Sequence, residues 1–301
     1  MGGRLDYWEA ADGWPLRRYR LGEGSRGRML VLGGRGDMIE KYLEPIHHWA
    51  SRGWAVTSFD WRGQGGSGRT TGDPLCGHID GFTTWIADLR ALVADWQAQE
   101  GYGPAVIVAH SMGGHLALRA LVEGMPPPDA LVLSAPMLGL NTRPLSHRVA
   151  RWIAGMMARL GAGTRQAWTQ RQNSARQQAL RQKRLTHDPD RYADELWWRD
   201  HSREIALGPP SWTWVGEALA STAALEADTR LDRLDIPVLI LATSADRLVS
   251  TSAIRRIAAR LPKARLHVYG AESAHEILRE LDAVRLDAFA RIDRFLDEVA
   301  P

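Results

Sequence analysis

The stretch that decides the fold is Val106–Leu118, VIVAHSMGGHLAL. An apolar, β-branched run leads into His110-Ser111, and helix-forming residues follow at once. A strand that turns straight into a helix must bend sharply at the junction. Residues two before and two after that junction must then be small. Here they are Ala109 and Gly113, with Gly114 next. A serine on such a turn projects its hydroxyl from the top edge of a sheet. The string A-H-S-M-G departs from G-x-S-x-G only at its first position, where alanine is still small. A serine that merely caps a helix leaves the small flanking residues unexplained.

Outward from this point the chain reads as alternating strands and helices. Arg28–Leu32, Trp54–Phe59, Ala105–Ala109, Ala130–Ser134 and Pro237–Ala242 are short apolar runs, and Arg265–Tyr269 is a further short strand. Continuous rather than alternating apolar runs are expected of strands covered on both faces. Helices are predicted over Ile39–Arg52, Thr83–Gln99, Met112–Glu123, about Thr251–Leu261 and about Ile277–Val299. In the second, Trp85, Leu89, Leu92, Val93 and Trp96 share one face. Residues up to about Leu21 read as an edge hairpin. The fold class is therefore α/β: a mostly parallel central sheet flanked by helices. From about Met137 to Asp228 the rhythm fails and Arg, Gln and Trp accumulate. This segment reads as a helical cap inserted between sheet strands. The expected division is a core of residues 1–136 and 229–301 and a cap of 137–228.

Composition bounds the function. The 301 residues are 45% hydrophobic, with 38 basic and 35 acidic side chains and a net charge of +3. That balance gives no reason to expect nucleic acid as a partner. Cys76 is the only cysteine, which excludes an intrachain disulfide and a cysteine-rich zinc site. No stretch approaches the roughly 20 apolar residues of a membrane span, and the start of the chain has no signal-peptide pattern. A cytoplasmic protein is expected, with peripheral contact at the inner face of a membrane in view.

A serine hydroxyl needs a base, and the base needs an acid to orient it. In folds with this turn the order along the chain is Ser, acid, His. PVLILATSAD delivers Asp246 to the carboxyl end of one strand, and RLHVYGAESAHEIL delivers His275 to the end of the next. Ligands bind at that edge of such sheets. Of the ten histidines, His78 is the serious rival, but it precedes Ser111. Asp232 and Asp235 lie at the wrong end of their strand. The oxyanion of acyl transfer needs N–H donors. One is expected from Met112, after the nucleophile, and one from the loop LGGRGDMIEKY (Leu32–Tyr42). There Gly33-Gly34 permits close approach and Arg35 supplies the amide. The alternative is a glycine turn that only reverses the chain. The loop lacks the ending of a P-loop and the spacing of a dinucleotide fingerprint.

The strings GGRGDMIEKY, SFDWRGQGGSGR, GHIDGFTTWIADL, AHSMGGHLAL, LSAPML and GAESAHEIL resemble the monoacylglycerol lipase and lysophospholipase branch of the α/β-hydrolases. Asp60–Arg69 is a signature of that branch. The resemblance spans about Arg28–Leu138 and Ile236–Leu296 and is faint across the cap. It implies Ser111 as nucleophile, Asp246 as acid, His275 as base and Arg35 and Met112 as oxyanion donors, in agreement with the positional reading. Gly33-Gly34 stands where many lipases of the branch have His-Gly. A G-R run there is similar to bacterial lysophospholipase-like members. Gly34, Trp152 and Met156 are expected to line the substrate site. The substrate implied is a lipid ester, cleaved through an acyl-enzyme without metal or cofactor. Alternatives are a small-peptide serine aminopeptidase, an acyltransferase of the same fold, and a binding module that kept the fold without catalysis.

In the cap, Asn141–His187 holds ten Lys or Arg and no Asp or Glu. Val149, Trp152, Ile153, Met156, Met157 and Leu160 form one helical face, with Arg148, Arg151 and Arg159 off it. Two readings stand side by side. In one, the helix lies on an anionic membrane surface and admits lipid. In the other, the apolar face packs on the core and the arginines are solvated. The stripe is also suited to lining an acyl pocket.

Overall fold

The structure, a computed structural model, describes residues 2–99, 103–168 and 175–301. Eight strands form one sheet: β1 (Arg4–Glu9), β2 (Pro15–Leu21), β3 (Gly27–Leu32), β4 (Trp54–Phe59), β5 (Ala105–His110), β6 (Ala130–Ser134), β7 (Val238–Thr243) and β8 (Ala264–Tyr269). Their order is β1-β2-β4-β3-β5-β6-β7-β8. β1 and β2 form the expected antiparallel edge hairpin, and β2 joins β4 antiparallel. Every pairing from β4 across to β8 is parallel.

The helices are α1 (Leu43–Ala50), α2 (Phe82–Ala98), α3 (Ser111–Val122), α4 (His147–Met157), α5 (Ala175–Leu185), α6 (Pro189–His201), α7 (Trp212–Ala227), α8 (Thr251–Ala258) and α9 (Asp282–Val299). Alternate residues of each central strand serve opposite faces. Leu30, Leu32, Ile107 and Ala109 join the cluster beneath α2, α3 and α8. Met29, Val31, Val106 and Val108 join the one beneath α1 and α9. Burial on both faces is why these strands are apolar throughout. The face of α2 predicted from its spacing is buried in the first cluster.

Two predicted helices are broken. Over Ile39–Arg52 a 3₁₀ turn (Ile39–Tyr42) precedes α1, because Pro45 has no N–H to return to the Lys41 carbonyl. Near the C-terminus a 3₁₀ turn (Ile277–Arg279) is separated from α9. There the buried Glu280 carboxylate is engaged by the amides of Ala274, His187 and Leu281.

Helices α4–α7 all fall between β6 and β7 in the chain. Chain direction across the sheet reverses at β3 and β5, since β4 lies on one side of β3 and β5 on the other. Crevices at such a switch point, outside the carboxyl ends of the strands, are where open α/β sheets hold ligands. The loops after β3 and β5 carry Gly34 and Ser111.

Candidate active site

Ser111 follows β5 directly and opens α3 with φ +50°, in the left-handed region. A non-glycine residue held there stores strain that the surroundings must enforce. Those surroundings are tight. A Cβ on Gly113 would lie 2.5 Å from the Gly33 carbonyl oxygen. One on Gly34 would lie 3.0 Å from the Ser111 Cβ and 3.1 Å from the His110 ring. The small residues noted in the sequence are thus the ones that let the end of β3 pass beside the turn.

His275 Nε2 lies 2.9 Å from Ser111 Oγ, and His275 Nδ1 lies 2.7 Å from Asp246 Oδ2. The other Asp246 oxygen accepts the Leu248 and Val249 amides at 2.8 and 2.9 Å. An ionised carboxylate only accepts, so Nδ1 carries the proton and the Nε2 lone pair faces the serine. Burial opposes charge on His275, but the charge and hydrogen bond of Asp246, with Glu276 and Asp37 nearby, together raise the imidazole above its ordinary value. Burial likewise opposes charge on Asp246, and the His275 pair and two amides hold it below its ordinary value. The three predicted residues, from loops after β5, β7 and β8, are therefore joined in one hydrogen-bonded chain.

The loop after β3 is fixed along its length. Gly34 N–H donates to Asp37 Oδ2 at 2.6 Å and Gly36 N–H to Gln64 Oε1 at 2.5 Å. The Gly33 carbonyl accepts from Trp61 Nε1 at 2.8 Å, and Ile39 N–H donates to Asp60 Oδ1 at 3.0 Å. Between the engaged amides, that of Arg35 has no acceptor among the described residues. The Met112 amide, in the first turn of α3, has no intrahelical acceptor either. The signature segment from Asp60 thus acts as a brace: Asp60, Trp61 and Gln64 each hold this loop.

Sequence reasoning missed the buried charges around the chain of three. Lys41 Nζ lies 2.7 Å from Asp37 Oδ1, 2.6 Å from Glu276 Oε1 and 3.3 Å from Glu195 Oε2. It ties the β3 loop, the His275 loop and α6 together. The end of α5 also supports the His275 loop: Glu276 N–H donates to the Leu185 carbonyl at 2.7 Å. Glu276 beside His275 was the one signal available. Its partners lie far away in the chain.

The rival groups are committed elsewhere. His78 sits between Ser211 Oγ (2.8 Å) and Asp80 (3.0 Å), but Ser211 caps α7 by accepting from the Trp214 amide. His110 bonds the Ser134 carbonyl, and burial with the nearby His275 lowers it to about 4. His115 bonds Ser221 Oγ, and burial lowers it to about 3. Asp232 and Asp235 pair with Arg260 and Lys263.

The α4 stripe differs from one of the two expectations. Val149, Trp152, Met156 and Leu160 are 44, 66, 38 and 73% exposed, so that face does not pack on the core. Ala154 is the buried residue of α4, and its Cβ would sit 3.6 Å from one placed on Gly216 of α7. The helix docks through its small side because two small residues permit a close approach. Trp152 and Met156 lie on this exposed face, and Gly34 lies against Ser111.

Residues 23–282 match the α/β-hydrolase family Hydrolase_4, described as serine aminopeptidase, S33. The chain belongs to this family. It is 30% identical to a probable lysophospholipase L2 of Haemophilus influenzae, over 90% of this chain and 84% of that one. It is 29% identical to lysophospholipase L2 of Escherichia coli, over 99% and 91%. The fold also matches a monoglyceride lipase of Saccharomyces cerevisiae, with a TM-score of 0.79 at 18% identity over 100% and 97% of the chains. Within Hydrolase_4 the chain is a serine hydrolase of the branch that holds these lysophospholipases, and the likeness to the monoglyceride lipase is one of fold. No helix among the described residues is long and apolar enough to cross a membrane.

Proposed function

We propose that this hydrolase cleaves the carboxylic ester of single-chain lipids, lysophospholipids or monoacylglycerols, with Ser111, His275 and Asp246 as a catalytic triad. The carrying observation is the continuous chain from Asp246 through His275 to Ser111 Oγ, beside the Arg35 and Met112 amides, which have no acceptor among the described residues. His275 takes the Ser111 proton as Oγ attacks the ester carbonyl. Asp246 orients the imidazole and stabilises its cation. The Arg35 and Met112 amides hold the oxyanion. The alcohol leaves with the proton from His275, and water then releases the fatty acid by the same route in reverse roles. The names of the two lysophospholipase relatives support the lipid class. Residues 137–228 act in this reading as the cap over the site.

The family's description favours one further reading, an aminopeptidase. Such an enzyme must hold an N-terminal ammonium with carboxylates, whereas the buried carboxylates of Asp37 and Glu276, beside His275, are already paired with Lys41. The test is a substrate panel: single-chain lipid esters and short aminoacyl peptides, scored for released fatty acid or amino acid. Fatty-acid release is expected. Peptide cleavage without fatty-acid release would overturn the lipid reading.

The cap is further proposed to rest on an anionic membrane surface through α4. Its exposed Trp152 and Leu160 suit the acyl boundary, and the exposed Arg148, Arg151 and Arg159 suit lipid phosphates. Near such a surface each basic residue contributes about 1 kcal/mol. Changing all three to Gln is expected to weaken binding to phosphatidylglycerol vesicles by roughly two orders of magnitude. Unchanged sedimentation with vesicles would leave the arginines as solvated charges.

A further inference from the structure

The ion pairs beside the site are unevenly shared: Lys41, Arg181, Arg199 and Arg279 all approach the one carboxylate of Glu195. Lys41, Arg181, Arg199 and Arg279 converge on Asp37, Glu195 and Glu276, and Arg35 adjoins them. Arg181 and Arg199 approach the same oxygen, Glu195 Oε1, at 2.5 and 3.6 Å. Arg199 Nη2 donates to the Leu207 carbonyl at 2.8 Å, and Arg35 donates to the next carbonyl, Gly208, at 2.8 and 3.0 Å. Three guanidinium groups thus stand in a row that shares one carboxylate and two adjacent carbonyls.

Glu195 thus faces four cations, while Asp194 and Asp200, beside Arg279 and Arg199, are exposed. Among the described residues, Arg181 Nη1 is sealed from solvent with no hydrogen-bond acceptor. Burial, with repulsion from Arg199 and Arg181, lowers Arg35 to about 10. Burial also lowers Arg199, with Arg181 adding to it. Guanidinium groups do not shed their charge in proteins, and buried unpaired cations are costly. A row of this kind is stabilised by an anion. No acid lies between Asn141 and His187 to supply one, so that part of the cap does not provide it.

The row also has a fixed place relative to the reaction. Arg35 offers its amide at the oxyanion position and its guanidinium towards Gly77 and Gly208. The two ends of one residue are separated by an arginine side chain. In a lysophospholipid, the ester carbonyl and the phosphate are separated by the glycerol unit, a similar length. Planar forked donors match phosphate oxygens in a way a neutral glycerol hydroxyl does not.

We propose that Arg35, Arg181 and Arg199 form a phosphate-binding subsite, so that the preferred substrate is a lysophospholipid rather than a monoacylglycerol. The assignment rests on the Ser111 ester-hydrolase reading above.

The test compares hydrolysis of lysophosphatidylglycerol and of monoacylglycerol with the same acyl chain. It uses the full chain, Arg199→Gln, Arg181→Gln and the charge-conserving Arg199→Lys. Loss of a charge-assisted contact lowers the ratio of the two kcat/KM values by about tenfold to a hundredfold in the Gln variants, and Arg199→Lys retains part of it. An unchanged ratio in both Gln variants, with both lipids still cleaved, overturns the subsite and leaves the hydrolase standing. A wild type that cleaves neither lipid while Ser111 still reacts with a fluorophosphonate overturns the lipid reading itself. Should the Gln variants fail to fold, wild type decides alone. sn-Glycerol 3-phosphate is expected to inhibit cleavage of a short neutral ester where glycerol does not, and equal effects of the two overturn the subsite. Inhibition by inorganic phosphate as strong as by sn-glycerol 3-phosphate assigns the arginines to free phosphate and overturns the headgroup assignment.

Discussion

Replacing Ser111 with alanine is expected to lower kcat by about 10⁴-fold or more, the scale on which triads fail when the nucleophile is removed. The loss should be purely chemical. Ser111 Oγ bonds His275 and supports no other element, and alanine meets the same backbone demand at φ +50° as serine does. No buried volume is emptied beyond one oxygen. The variant should therefore melt cooperatively close to wild type while fatty-acid release disappears. Turnover retained within about tenfold of wild type would remove Ser111 from the mechanism.

Asp246→Asn is expected to cost nearly as much, about 10⁴-fold, although it changes one atom. Asp246 Oδ2 accepts from His275 Nδ1, which leaves Nε2 free to take the serine proton. An asparagine NH₂ at that position donates, favours the other tautomer, and turns an N–H towards Ser111. The Leu248 and Val249 amides still find an oxygen, so the fold is retained. The pH profile separates this from a general loss of structure. His275 works as a base only when neutral, so kcat/KM rises as pH rises through its pKa. In wild type burial lowers that pKa, but the charge and hydrogen bond of Asp246, with Glu276 and Asp37 nearby, together raise it, so the rise is centred above the ordinary histidine value of 6.5. In Asp246→Asn burial is left unopposed by that partner, and the residual activity should rise at lower pH than in wild type. A wild-type midpoint at or below 6.5 would contradict the proposed electrostatics.

Much of this site was legible because its parts are local. Small residues at Ala109, Gly113 and Gly34 report a close approach, and Asp246 and His275 each follow an apolar strand directly. What was not legible depends on partners distant in the chain. Nothing in the sequence singles out Lys41, yet it joins Asp37 to Glu195 and Glu276 from two other elements. The breaks near Pro45 and Glu280 followed the same division. The first is a local property of proline, whereas the second arises because a carboxylate is drawn away to hold the His275 loop. Periodicity at α4 revealed an apolar face but not what covers it. Ala154 against Gly216 decided that the stripe points outwards. The excess of arginine across Asn141–His187 was countable in the sequence. That Arg181 meets Arg199 and Arg35 emerged only when α5, α6 and the β3 loop were folded together.

The central claim is that Ser111 is an activated nucleophile held by His275 and Asp246. The most direct measurement is reaction of the folded chain with a fluorophosphonate, followed by mass spectrometry of the peptide that carries the adduct. A single adduct on Ser111 is predicted, absent from Ser111→Ala and slowed by a competing single-chain lipid ester. A well-folded wild type that takes no label, or an adduct on a different serine, would contradict it.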